Sequence, residues 1–209
     1  LAVSCLYLTA LDGVKYAVNC GKTPDELLKE LSKTAGEDAD YLQKEREYRC
    51  EKNVFEDYTQ EERDAVFGKP PATVWENVKI MKENPDKVAV LTQGDGISEA
   101  IVDSFVAGIV YRWENELIDR LIPDTEAAVK RYKKLIHEDE LDEERWDSIS
   151  TKRIELIKDG RHKKCICTKL KEALKRKDYD MASNLQREMV RKTEALGEEY
   201  RIYALNIID

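Results

Sequence analysis

The stretch "ISEAIVDSFVAGIVYRWENELIDRL", residues 97–121, decides the fold class. Ile97, Ile101, Phe105, Ile109, Trp113, Leu117 and Leu121 recur at every fourth position, and Val102, Val106 and Val110 form a second ridge beside them. That period belongs to an α-helix, and an arc two ridges wide predicts burial on more than one side. The expectation is a buried central helix, ended by Pro123, around which other helices pack.

Working outward, the flanking sequence repeats helical start and stop signals. A first apolar element covers residues 2–18 and stops at "NCGKTP", where Gly21 suits a left-handed cap and Pro24 a new first turn. Thr23 with Glu26, and again Thr59 with Glu62, form the Ser/Thr-x-x-Glu pattern of a capping box, in which each side chain satisfies an amide of the other's turn. The charged stretch 41–51 reads as a further helix with one modest apolar stripe. "TVWENVKIMKENPD" gives a helix with Val74, Trp75, Val78 and Met81 inward, and "KVAVLTQGDG" is short enough to be either a strand or a helix. Beyond Pro123 come a helix to about residue 137, an acidic block, an amphipathic helix around Trp146, Ile149 and Leu156, and two final helices. The predicted fold is all-α, a multi-helix bundle around 97–121 with a C-terminal helical hairpin. The predicted division is a bundle domain, 1–159, and a hairpin region, 160–209.

Composition agrees with this class. Charged residues make up 37% and aromatics 8% of 209 residues, with only 9 Gly and 5 Pro, whereas sandwiches and barrels consume turn residues. A net charge of -8 opposes general affinity for nucleic acid or anionic membranes, because 43 carboxylates repel the phosphates that 35 bases attract. Five cysteines, an odd and sparse set, predict a reducing compartment, cytoplasm or organelle matrix or stroma. No apolar run is long enough to span a bilayer, so a soluble chain is expected. The start at Leu1 leaves room for a removed presequence.

Signatures of catalysis are absent from the pattern. "GKT" at 21–23 lacks the glycine that a phosphate-binding loop needs five positions before its second one, because Tyr16 stands there. "GDG" at 94–96 reads as an N-cap, since Asp95 would repel an anion. His137 and His162 are the only histidines, and neither sits in a nucleophile or Glu-x-x-His motif. His162, Cys165 and Cys167 supply three candidate metal or redox ligands beside Lys163 and Lys164, but a structural zinc site needs a second ligand pair. No cofactor is expected.

Charge is the sharpest contrast in the chain. Residues 152–177 hold eleven Lys or Arg against three acids, a local surplus of +8 against -16 elsewhere. Lys163, Lys164, Lys169, Lys171, Lys175, Arg176 and Lys177 form a candidate phosphate grip, with an acidic partner or the chain's own acidic block at 138–147 as competing uses. No aromatic or amide reader is interleaved in the run.

Apolar spacing in the same region suggests docking instead. Ile166, Leu170 and Leu174 share one helical face, and Tyr179, Ala182, Leu185 and Met189 share a face of the next helix, so the pair closes as an antiparallel hairpin at "RKD". The segment "LKEALKRKDYDMASNLQREM" resembles the UVR motif, through its run of acid, aromatic, acid, any residue and two small residues at Asp178, Tyr179, Asp180, Met181, Ala182 and Ser183, then Asn184 and aliphatic Leu185. Where that family usually continues with Arg-Asp, this chain has Gln186-Arg187. The resemblance, over about 30 residues, implies protein–protein docking through the hairpin's apolar face. The expected function is therefore a non-catalytic interaction or adaptor protein that docks a partner or larger assembly through Ile166, Leu170, Leu174, Tyr179, Ala182, Leu185 and Met189. The alternative is a nucleic-acid-associated, repair-type factor using 152–177, and a third reading places an enzyme or cofactor carrier in the bundle.

Overall fold

Helices start where the caps predict them. In the computed structural model, which describes residues 2–93, 96–135 and 140–207, the Thr23 hydroxyl accepts the Glu26 amide at 3.3 Å while the Glu26 carboxylate accepts the Thr23 amide at 2.7 Å. Thr59 and Glu62 repeat the exchange at 3.3 and 2.8 Å. The order is α1 (Ala2–Asn19), α2 (Pro24–Leu31), α3 (Gln60–Val66), α4 (Val74–Glu83), α5 (Pro85–Thr92), α6 (Glu99–Glu116), a π turn (Leu117–Leu121), α7 (Ile122–Arg131), α8 (Glu140–Ile157), α9 (Ile166–Lys175) and α10 (Tyr179–Ile207). The protein is all-α, with no strand among the described residues.

Two local expectations change and one open choice is decided. Residues 41–51 form no helix. Instead the buried Lys33 ammonium donates to the carbonyls of Lys44 at 2.7 Å and Arg46 at 2.9 Å, satisfying backbone groups that a helix would have used. "KVAVLT" lies in α5, so the choice between strand and helix falls to helix. Pro123 does not end its helix either. Its ring lacks an amide hydrogen, and the ladder widens just before it, the Ile122 amide bonding to the Leu117 carbonyl five residues back, so that α6 and α7 run on as one rod. Gly94 and Asp95 of "GDG", His137, and the first two acids of the 138–147 block lie outside the described residues.

The chain divides into two compact units. One comprises Leu1–Pro71 and Met81–Ile101, the other Ala72–Ile80 and Val102–Asp209, so Gly160 lies within the second. In the first unit α1 lies against α5, and polar ties do most of the visible joining. The Lys22 ammonium meets the Tyr16 hydroxyl and Glu30 at 2.9 Å each and Asp40 at 2.8 Å, and the Tyr16 ring stacks on Tyr41 with centroids 4.3 Å apart.

The second unit holds the hydrophobic core. Ile122 and Val129 of α7, Ile149 and Leu156 of α8, Leu170 and Leu174 of α9, and Ala182, Leu185, Met189, Leu196 and Tyr203 of α10 close on one another. The helix along which this core is strung is α10, packed against α8 and α9. The expected central helix is buried only toward its end: Trp113 and Leu117 are core, whereas Ile101 and Phe105 are exposed.

Candidate functional site

The hairpin forms as its apolar spacing predicts. The Lys177 amide bonds to the Leu174 carbonyl at 2.9 Å and the Asp178 amide to the Ala173 carbonyl at 3.0 Å, a Schellman closure of α9. Its left-handed position, where glycine is usual, is filled by Lys177 at φ 57°. Asp178 then caps α10, accepting the Met181 amide at 3.1 Å. The two substituted positions are also used: Gln186 accepts the Trp113 indole N–H at 2.8 Å, and Arg187 pairs with Glu76 at 2.7 Å.

The seven residues assigned to docking lie together, but inward. Ile166, Leu170, Leu174, Ala182, Leu185 and Met189 are buried, and half-buried Tyr179 packs between Trp75 and Trp113, with centroids 4.8 and 6.1 Å away. The apolar face of the hairpin is covered by the chain's own α8 and neighbouring helices. Periodicity identifies an apolar face; it does not identify what covers it.

The basic run is exposed except for half-buried Lys169, and about half neutralised. Lys164 pairs with Glu172, Lys171 with Glu126 at 2.9 Å, Lys177 with Glu114 at 2.7 Å, and Lys163 more loosely with Glu155 at 3.5 Å. Lys169, Lys175 and Arg176 have no ion pair among the described residues. These acids come from α6, α7, α8 and α9, while the described part of the acidic block finds other partners, Lys134 with Glu143 and Arg145 with Asp142.

His162, Cys165 and Cys167 have separate surroundings. Burial, together with the charges of Cys165 and Glu126, pushes the Cys167 thiol up to about 12, far from a thiolate, and its sulfur lies 3.8 Å from that of Met189. Cys165 caps α9, its sulfur accepting the Thr168 amide, while its own amide donates to Asp159 at 2.8 Å. His162 is exposed, and no group of three His, Cys, Asp or Glu gathers as a metal site among the described residues. A groove of about 590 Å³ beside α10 is lined by Thr73, Gln186, Arg187, Glu188, Arg191 and Glu194 among others; Arg187 is tied to Glu76 and Thr73 to Ser183, at 2.7 Å each.

One surface escaped the sequence reading. On α1, half-buried Cys5, Leu8, Asp12 and Tyr16 follow one face, while the opposite face carries Val3, Leu6, Tyr7, Ala10, Leu11, Val14 and Val18. The six large side chains of that outer face are 47% to 75% exposed. No hydrophobic residue of the first unit is buried among the described residues; Lys33 alone is. The signal was present in the sequence as two apolar stripes on opposite sides of residues 2–18, one more than a surface helix needs. No described helix is long and apolar enough to cross a membrane. Compared with family models, with curated proteins and with solved structures, the chain matches none.

Proposed function

We propose that this chain is a non-catalytic helical interaction protein, and that its docking surface is the outer face of α1 in the first unit rather than the UVR-like hairpin. The observation that carries the reading is the distribution of apolar burial: the second unit has a closed core, while the first exposes a continuous apolar stripe on α1 and buries no hydrophobic side chain among the described residues. Fully covering a side chain such as Leu6 or Val14 is worth about 1.5–3 kcal/mol, so such a stripe strongly favours a state in which something covers it. The hairpin, on this reading, is the scaffold's own core element.

A photo-crosslinking phenylalanine analogue in place of Tyr7, compared with the same analogue in place of Gln60 on α3, tests this in extracts of the native source. The expected result is a discrete protein adduct from position 7, lost when Val14→Glu is added, and none from position 60. Equal labelling from both positions, or none from position 7, overturns the reading. The nucleic-acid alternative now rests on Lys169, Lys175 and Arg176, whose charge no described acid balances. It requires a salt-dependent mobility shift with DNA or RNA that reversing these three charges abolishes.

A further inference from the structure

The outer face of α1 has an internal symmetry that points to its occupant. Under an antiparallel two-fold pairing centred between residues 10 and 11, Val3 meets Val18 of the other copy, Tyr7 meets Val14, and Ala10 meets Leu11, three apolar pairings, while Leu6 alone of the outer face falls level with a charged residue, Lys15. The steps from Val3 to Tyr7, Ala10 and Val14 alternate four, three and four, the spacing of a helix–helix seam. Small Ala10 falls beside the crossing point, where it permits close helix approach. Such self-complementarity is what an isologous interface demands.

Charge and area agree. The chain carries -8, yet α1 holds one acid, Asp12, and one base, Lys15, so two copies approaching through α1 bring little like charge together. Asp12 is on the inner face, bonded by the Tyr41 hydroxyl, and Lys15 lies exposed at the rim, where its ammonium can stay in water. An anionic membrane surface would want several bases on such a helix, and α1 has only Lys15. The exposed stripe offers on the order of 600 Å² per copy, about 1,200 Å² for a pair, the lower edge of specific interfaces.

We infer that the chain self-associates as a two-fold dimer through an antiparallel pairing of α1 with α1 of a second copy. The inference rests on the reading of α1 as a docking surface and adds the occupant. Sedimentation of the 209-residue chain across a concentration series tests it. A monomer–dimer equilibrium is expected in the micromolar range, about 1–50 µM. Tyr7→Glu and Val14→Lys should each weaken it at least about 100-fold, because each places an unpaired charge in an apolar contact. The double variant Tyr7→Glu/Val14→Lys should return to within about tenfold of the parent, since antiparallel pairing sets the opposite charges face to face. The melting of the second unit, measured alongside, should be unchanged in all three and serves as the fold control.

A parent chain monomeric to about 100 µM overturns the dimer. So does a double variant as weak as the singles, or flotation of the monomeric parent with vesicles in place of self-association. These failures are separable from failure of the wider reading. A monomeric chain that still yields a specific adduct from position 7 keeps α1 as a docking surface with a different partner, whereas absence of both sinks the two together.

Discussion

The two units of this chain reach order by different physics. In the second, apolar residues at helical spacing on α7 to α10 meet and exclude water. In the first, helix caps, the Lys22 cluster and the three carbonyls around Lys33 supply directional ties without a buried apolar centre among the described residues. The first kind of order is self-sufficient, because burial is non-directional and accumulates with area. The second kind is conditional: each hydrogen bond is worth only about 1 kcal/mol net, set against roughly 1–2 kcal/mol of backbone entropy per ordered residue.

That contrast breaks most directly under truncation of apolar side chains. Leu170→Ala should cost about 2–5 kcal/mol in urea unfolding, and Leu6→Ala within about 0.5 kcal/mol at concentrations where the chain is monomeric. Equal losses would mean that the first unit has a core after all. The same logic turns Leu185→Asp into a folding defect rather than a selective loss of docking.

Next in size is the acid sensitivity of the second unit. Burial pushes the Glu114 carboxyl up, but hydrogen bonds from Lys177 and Tyr179 and the Lys177 charge outweigh it, leaving the group below the ordinary carboxylate range. A depressed carboxyl contributes stability that is complete above its unfolded value and is lost as pH falls through its folded value. Unfolding titrations from neutral pH downward should therefore show a loss in the parent that flattens in Glu114→Gln. Lys177→Met should destabilise at neutral pH, and Lys177→Gly less so, because glycine relieves the left-handed backbone while it too gives up the ion pair.

The smallest expected effect sharpens the contrast from the other side. Thr23→Ala removes one capping box and should cost about 1 kcal/mol locally. Hydrogen exchange should find that loss confined to α2, with α8 to α10 unchanged. Loosening that spread into those helices would mean that the units fold as one.

Much of the fold was legible because it rests on local signals. The capping boxes, the glycine and proline punctuation, and the turn at Arg176 to Asp178 are written within a few residues of one another. What was not legible depends on distant partners. Residues 41–51 carry enough charge to suggest a solvated helix, and only distant partners such as Lys33, eleven residues before Lys44 and thirteen before Arg46, reveal why they stay irregular. The hairpin stripe from Ile166 to Met189 was found, but sequence alone does not say that α8 covers it. The ridge from Ile97 to Leu121 is continuous in sequence and covered only in part, because an apolar side chain goes inside only where a neighbour exists. The outer stripe of α1 went unnoticed for the opposite reason: a helix apolar on two sides reads as simply hydrophobic.

The π turn at Leu117–Leu121 has a geometric consequence. In an uninterrupted α-helix, positions following Trp113 and Leu117 on the same side would be near 120, 121 and 124, yet Arg120 and Asp124 are exposed while Ile122, Thr125 and Val129 are buried. The widened turn absorbs one surplus residue and brings the later positions back into phase with the earlier ones. Deleting Asp119 would restore a regular pitch upstream of Pro123 and draw the carbonyl ladder against the proline ring. Inserting a residue there would swing Ile122 and Val129 by roughly 100° about the axis, out of the core. The segment is thus a rotational vernier, setting where the rod's second half points.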